Sequence, residues 1–69
     1  MSAFSQRLID LRKKRGLSQA QAAEEIGVAP RAYQNYEYGK AEPKLSTLLR
    51  MAEVYGVSLD HLTGREEDG

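Results

Sequence analysis

The 69-residue sequence has no cysteine and no tryptophan, and His61 is its only histidine. Without cysteine, disulfides and thiolate metal sites are excluded, and one histidine does not make a metal centre. No apolar run approaches the roughly 20 residues that a membrane span needs, and no signal-peptide pattern opens the chain. We therefore expect an intracellular, soluble domain of the cytoplasm, with no cofactor, no metal and no membrane contact.

The sequence motifs of common enzymes are also missing. There is no glycine-rich phosphate loop, no nucleophile elbow and no pair of carboxylates that indicates an acid-base cleft. The acidic runs at residues 24–25 and 66–68 are typical of solvated surface. A chain of this length forms one small domain that buries only about 60% of its unfolded surface. We predict that the protein is not an enzyme.

The net charge is zero, but the charges are unevenly distributed. Residues 1–44 hold eight lysines and arginines against five acidic residues, whereas residues 45–69 hold two against five. The first part is therefore basic and the second part acidic. This distribution is compatible with an oriented approach to phosphate, although a strongly basic domain would be attracted more strongly.

Apolar residues recur at helical spacing along the chain, and glycine or proline interrupts each run. The first run places Phe4, Leu8 and Leu11 on one face, and Gly16 follows it. Nothing indicates a strand, a repeat or a low-complexity segment. We predict an all-α domain over residues 1–64, followed by a charged, flexible tail at residues 65–69. The five predicted helices are 3–14, 19–26, 30–38, 45–55 and a short helix that Ser58 caps.

The segment 17–39 predicts two short helices joined at a sharp corner. Ser18 and Gln21 have the spacing of a capping box, which marks the start of a helix. Gly27 ends that helix, and Pro30 suits the first turn of the next one. This is a helix-turn-helix pattern, whose commonest use is to place the second helix in DNA. Tyr33 and Tyr36 would anchor that second helix, and its outward side chains would be Arg31, Gln34, Asn35 and Tyr38.

Short sequence elements between about Phe4 and Gly64 occur in an order and spacing that together are typical of one family. These elements are Leu17-Ser18-Gln19, Ala23, Gly27-Val28, Tyr36-Glu37-x-Gly39-Lys40, Pro43, Leu48, Ala52 and Gly56-Val57-Ser58-Leu59-Asp60. On these elements the chain resembles the Cro/repressor-type helix-turn-helix family, also called the XRE family, whose domains are lambda-repressor-like. The resemblance implies sequence-specific binding of double-stranded DNA by a prokaryotic or phage transcriptional regulator. We expect a repressor that binds an inverted-repeat operator as a homodimer.

The resemblance also implies roles for individual residues. Gln19 would contact the DNA backbone and brace a side chain of the recognition helix, and Arg12 would pair with Glu37 as a structural ion pair. Arginine can read guanine and asparagine can read adenine in the major groove. The alternative for each exposed side chain is a solvated surface residue with no DNA contact. The candidate DNA-binding residues are Gln19, Pro30, Arg31, Ala32, Gln34, Asn35, Tyr38, Lys40 and Lys44.

The sequence departs from the usual family pattern at four positions. Tyr33 replaces an aliphatic residue and Ala22 replaces leucine, so we interpret the larger and the smaller side chain as compensating in volume. Ala29 and Lys44 stand where a capping residue is usual, and the cap lost at Ala29 weakens the start of the recognition helix by about 1 kcal/mol. Pro30 partly offsets that loss because it fixes φ.

In the two C-terminal helices we expect six side chains to face inward. The homodimer surface is predicted at the end of these helices, around Val54, Val57, His61 and Leu62. Two alternatives stay open beside the repressor: an antitoxin or other domain that binds a protein partner, and the DNA-binding head of a larger regulator. The six inward side chains are Leu48, Met51, Ala52, Tyr55, Leu59 and Leu62.

Overall fold

A computed structural model of the protein describes residues 3–65 and shows five α-helices within that range. Their bounds agree with the sequence prediction, and the fold is all-α. Arg65 is the only residue of the predicted tail that is described, and residues 66–69 lie outside the described range. The helices are α1 (Ala3–Lys14), α2 (Gln19–Ile26), α3 (Pro30–Tyr38), α4 (Leu45–Tyr55) and α5 (Leu59–Thr63).

Local signals in the sequence explain where the helices begin. The Ser18 hydroxyl accepts a hydrogen bond from the backbone of Gln21, and the Gln21 side chain accepts one from the backbone of Ser18. This is the predicted capping box. At the start of α5, the Ser58 hydroxyl accepts a hydrogen bond from the backbone N–H of His61. Neither Ala29 before α3 nor Lys44 before α4 makes a side-chain cap, as their residue types predict.

The sharp corner between α2 and α3 depends on Gly27. Its φ of 91° lies in the left-handed region, where a side chain is strained, and its N–H bonds to the carbonyl of Ala23. Only Val28 and Ala29 separate it from Pro30, the first residue of α3. The chain therefore changes direction within three residues, as the helix-turn-helix pattern predicts.

The core lies between the helices and combines aliphatic side chains with two tyrosines. Tyr33, Met51 and Leu62 are fully buried, and Tyr55 is 4% exposed. Ala22 and Tyr33 belong to the same core cluster. Phe4 and Tyr36 pack against this cluster from its edge and stay partly exposed. The other buried apolar residues are Leu8, Leu11, Ala23 and Ile26.

The inward face of α4 agrees with the prediction and includes one further residue. Met51 and Tyr55 are buried, and Leu48 and Ala52 are half-buried and pack against the core cluster. Thr47, which was not predicted to face inward, is buried as well. Leu45 and Leu49 are exposed by 64% and 48%, since the opposite side of α4 packs on the rest of the domain. Helical spacing defines a stripe of apolar residues, but the neighbouring helices decide where the centre of that stripe falls.

The burial of α5 alters the predicted dimer surface. Leu62 is fully buried in the core, so it cannot contribute to contact between two copies. Leu59, predicted to face inward, is half-buried and lies outside the core cluster. The other three residues of the predicted surface, Val54, Val57 and His61, are half-buried. Among residues 3–65, no helix is both long and apolar enough to cross a membrane.

Packing between helices holds α2 and α3 against the rest of the domain. α3 contacts both α1 and α2, α2 also contacts α4, and α5 contacts α1 and α4. The buried Ser5 hydroxyl in α1 donates to the carbonyl of Tyr36 in α3 at 3.1 Å. The helix-turn-helix therefore packs on α1 and α4 with its buried side, while part of α3 stays exposed to solvent.

Candidate nucleic-acid interface

The exposed side of α3 carries the candidate base-reading residues. Pro30 is its first residue, Arg31 follows with an exposed side chain, and Ala32 is half-buried. Gln34 and Asn35 lie one turn further on and are also half-buried. Pro30 and Ala32 carry no hydrogen-bonding side chain, so Arg31 is the candidate here for guanine edges, and Asn35 and Gln34 are the candidates for adenine edges.

A buried carboxylate lies behind this surface, at the end of α3. Glu37 is 1% exposed and accepts two hydrogen bonds from Arg12, from Nε at 2.7 Å and from the guanidinium NH2 at 3.1 Å. Gln19 adds a third, from Nε2 to Oε1 at 3.0 Å. The structure thus brings together Arg12, Gln19 and Glu37, one side chain from each of the first three helices.

Burial and hydrogen bonding have opposite effects on the charge of Glu37. Burial alone raises the pKa of the carboxyl, but hydrogen bonds from Arg12, Gln19 and Tyr33 together with the Arg12 charge outweigh it and lower the pKa. The hydrogen bond to Glu37 likewise raises the pKa of the Arg12 guanidinium. Both groups are therefore charged at neutral pH, and their pairing compensates for the cost of burial.

Arg12 also fixes the segment that leads into α2. Its NH1 group donates to the carbonyl of Leu17 at 2.9 Å, immediately before the cap residue Ser18. One guanidinium therefore contacts both the end of α3 and the connection from α1 to α2. These bonds hold the first turn of α2 in a set position relative to α3.

Gln19 is placed where a helix attracts anions. It is the first residue of α2, and the amide groups that open a helix have no acceptor within it and lie at its positive end. The capping box uses the backbone N–H groups of Ser18 and Gln21, which leaves the N–H groups of Gln19 and Ala20 for other partners. A phosphate oxygen suits this position. The side chain of Gln19 meanwhile braces Glu37 of α3, the kind of role that the family resemblance implies.

The last candidates lie at and beyond the end of α3. Tyr38 is 52% exposed, and the ammonium of Lys40 lies 5.9 Å from the centre of its ring. This separation is within the range of a cation–π contact. Lys44 is exposed at the start of α4. The structure thus places Lys40 beside Tyr38, whereas Lys44 sits at the far end of the loop.

Sequence reasoning treated Tyr33 and Tyr55 only as core residues, but their hydroxyls are bonded to each other. The two oxygens lie 2.7 Å apart, and both side chains are buried. Burial raises the pKa of both phenols, and that of Tyr33 moves far above its usual value. The sequence does carry a signal for this bond. Tyr33 stands at a core position where the family usually has an aliphatic residue, and a buried hydroxyl needs a hydrogen-bond partner.

The fold and these contacts define a helix-turn-helix domain, and comparison with known proteins gives the family. A profile described as helix-turn-helix matches residues 8–62. YonR, a prophage-derived HTH-type transcriptional regulator of Bacillus subtilis, is 42% identical over 59 residues, which are 86% of this chain and 55% of that protein. RstR, a cryptic phage CTXphi transcriptional repressor of Vibrio cholerae, is 41% identical over 64 residues, covering 93% of this chain and 58% of RstR.

A solved structure agrees with these relatives. The crystal structure of a transcriptional regulator from Listeria innocua matches 100% of this chain and 65% of that one, with a TM-score of 0.86 and 30% identity. The chain therefore belongs to the Cro/repressor-type (XRE) helix-turn-helix family. It spans little more than half the length of the two curated relatives.

Proposed function

We propose that this chain binds a specific double-stranded DNA sequence as a bacterial or phage transcriptional regulator, and that it acts as a repressor in the cytoplasm. Its family membership supports this function, as do the regulator and repressor descriptions of its relatives. The observation that carries the proposal is the placement of α3, whose inner side is fixed through the buried Glu37 while Arg31 stays exposed. A recognition helix needs both properties to enter the major groove in a defined register.

The chemistry of each exposed side chain determines which DNA group we propose that it contacts. Arg31 forms two hydrogen bonds to guanine O6 and N7, and Asn35 pairs with adenine N6 and N7. The start of α2 at Gln19 binds a phosphate, and Lys40 and Lys44 bind two more. Base contacts supply specificity, whereas phosphate contacts set the register. Gln34 and Tyr38 are secondary contacts beside these groups.

We further infer that two copies bind an inverted repeat. One recognition helix reads only a few base pairs, and half-sites about 34–36 Å apart place two helices in successive turns of the major groove. The same arrangement doubles the number of phosphate contacts, so that binding weakens steeply with salt.

The test is selection from a randomised double-stranded DNA pool by the purified chain at two salt concentrations, followed by sequencing. We expect a palindromic site to be enriched, and binding to it to weaken at higher salt. Arg31→Ala should relax selection at one position of each half-site at a cost of about 1–3 kcal/mol. The Arg31 side chain is exposed, so we expect the substitution to leave the fold intact.

Weak and unselective binding would contradict the proposal for the chain by itself. It would favour the alternative in which this domain is the DNA-binding head of a larger regulator, which agrees with the greater length of the relatives. The protein-partner alternative needs a broad apolar surface on α4 and α5. Among residues 3–65, the large apolar side chains exposed on those helices are Leu45 and Leu49, so DNA remains the proposed ligand.

A further inference from the structure

Two neighbouring leucines are exposed on the outer side of α4. Leu45 and Leu49 are 64% and 48% exposed, and together with Tyr38 they are the large apolar side chains that stay exposed among residues 3–65. They lie one turn apart in the first half of α4, about 6 Å along its axis. Scattered single apolar residues are normal on a protein surface, but adjacent ones form a patch that a contact can cover.

Polar and charged side chains border these leucines on the same side of α4. Ser46, Arg50 and Glu53 are exposed, and helical spacing places them beside Leu45 and Leu49. The Arg50 and Glu53 side chains are 57% and 76% exposed and carry opposite charges. A surface of one sign repels a second copy of itself, whereas a surface with one charge of each sign does not. We call these five residues the α4 face.

The α4 face begins directly after the loop that we propose to bind phosphate. Lys40 and Lys44 are the proposed phosphate contacts of that loop, and Leu45 is the first residue of α4. A second copy that packs on the α4 face is therefore close to the DNA that the first copy contacts. The pairing surface predicted from sequence lies at the other end of α4, where Leu62 is buried in the core and Val57 is half-buried.

The α4 face is too small to hold two copies together in free solution. A stable interface buries about 800 Å² on each partner and takes about 20–30 residues from each, whereas the α4 face has five exposed side chains. Two half-sites of one operator hold two copies near each other, so that their effective concentration is high. A weak contact is then sufficient, because the DNA already brings the copies together.

We propose that the α4 face pairs with the α4 face of a second copy when both copies occupy one operator, with Leu45 and Leu49 of each copy at the centre of the contact. This inference rests on the proposed binding of two copies to an inverted repeat. The contact is two-fold symmetric, so the same residues of both copies form it. The free chain is a monomer at micromolar concentration, and its binding to the operator is cooperative.

The test compares Leu49→Gln with a matched control, Leu59→Gln. Leu59 is a half-buried leucine outside the core cluster, and it lies between Val57 and His61 of the pairing surface predicted from sequence. The measured quantity is the affinity per half-site for the complete selected operator, divided by the affinity for a duplex in which one half-site is scrambled. Fluorescence anisotropy titrations give both affinities, and Leu45→Gln is a second variant of the α4 face.

We expect the wild-type chain to fill the second half-site about tenfold more tightly than an isolated one, since burying the exposed part of a leucine side chain stabilises a contact by about that factor. Leu49→Gln and Leu45→Gln should each remove this cooperativity and leave binding to a single half-site unchanged. Leu59→Gln should keep the wild-type ratio. Independent half-sites in the wild type, or a loss of cooperativity in Leu59→Gln but not in the α4 variants, would overturn the inference.

A second measurement uses the free chain without DNA. In NMR spectra recorded from micromolar to millimolar concentration, the methyl signals of Leu45 and Leu49 should move with concentration, and Leu49→Gln should abolish the movement of the Leu45 signals. Sedimentation at micromolar concentration should show a monomer. A stable dimer at that concentration, or signals that move on another surface, would overturn the inference. Spectra independent of concentration would overturn it too and would favour a further domain of a longer regulator as the partner of the α4 face.

The two measurements separate this inference from the proposed function. If the wild-type chain selects no DNA sequence, the proposed function fails, while the concentration series still decides whether two α4 faces pair. If the wild type selects an inverted repeat but fills its half-sites independently, the inference fails by itself.

Discussion

Arg12 and Glu37 form a two-point contact between α1 and the recognition helix. Arg12 Nε lies 2.7 Å from Oε2 and its NH2 group lies 3.1 Å from Oε1, while only 14% and 1% of the two side-chain surfaces are exposed. A bidentate contact of this kind fixes direction as well as distance. Because the pair is mostly removed from water, each charge depends on the other for compensation.

Removal of the Glu37 charge should therefore destabilise the fold. We expect Glu37→Gln to lower the free energy of unfolding by about 3 kcal/mol, because the buried Arg12 charge would lose its counter-ion. Glu53→Gln is the matched control, since Glu53 pairs with Arg50 on the surface at 3.7 Å with both side chains largely exposed. That change should stay within about 0.5 kcal/mol. Urea unfolding measures the free energy of unfolding of both variants. Equal losses in the two would show that the buried pair stabilises the fold no more than the surface pair does.

The same carboxylate predicts how stability depends on pH. Its pKa in the folded state lies below the ordinary value of 4.5, so ionised Glu37 stabilises the fold above that pH, and this contribution is lost as the pH falls through the lowered pKa. The difference in unfolding free energy between wild type and Glu37→Gln should therefore shrink as the pH drops below 4.5. Urea unfolding at a series of acidic pH values measures it, and a difference independent of pH would refute the prediction.

Gly64 packs directly on the start of α1. Its φ is +78°, and a Cβ at this position would lie 2.5 Å from the Cβ of Ala3. Gly16 has a similar φ of +68°, with nothing within 4 Å of its Cβ position. Gly16→Ala should cost about 1 kcal/mol from backbone strain alone, and Gly64→Ala about 1 kcal/mol more from the close contact. Thermal unfolding compares the two, and equal effects would mean that Ala3 moves aside without cost.

A side-chain cap at the start of α3 should stabilise the fold. Ala29 has the extended backbone of a cap residue, with φ −66° and ψ 145°, but no side chain that can accept a hydrogen bond. Ala29→Ser should raise the free energy of unfolding by about 1 kcal/mol. Ala20→Ser places the same hydroxyl at an exposed alanine within α2 and should change stability by less than about 0.5 kcal/mol. A melting temperature unchanged by Ala29→Ser would show that the hydroxyl does not cap α3.

Lys40 should contribute to DNA affinity without contributing to selectivity. We expect Lys40→Gln to weaken binding to all duplexes alike and to reduce the slope of log affinity against log salt by about one, as for one lost phosphate contact. Arg65→Gln removes the same charge after α5, which packs on α1 and α4. The control should keep the full salt slope. Titrations by fluorescence anisotropy at several salt concentrations measure both variants, and equal slopes would argue against the Lys40 contact.

The helix bounds were predictable because their signals are local. Ser18 and Gln21 cap each other within one turn, and the left-handed Gly27 ends the same helix, so neither depends on distant parts of the chain. The face of α4 was less predictable. Its apolar residues surround much of the helix, and packing against α2 and α5 buries Thr47 while it leaves Leu45 and Leu49 exposed.

By itself, the sequence determined the five helices, the sharp corner at Gly27 and the family, since these follow from spacing along the chain. The family resemblance implied the Arg12–Glu37 pair, which the structure contains. Only the tertiary structure decided that Tyr33 and Tyr55 bond through their hydroxyls and that Gln19 joins Arg12 on the carboxylate of Glu37. The physical reason is that these partners lie on different helices. Which polar groups meet in the core depends on how the helices pack, and a buried hydroxyl or carboxylate then requires the partner that packing brings to it.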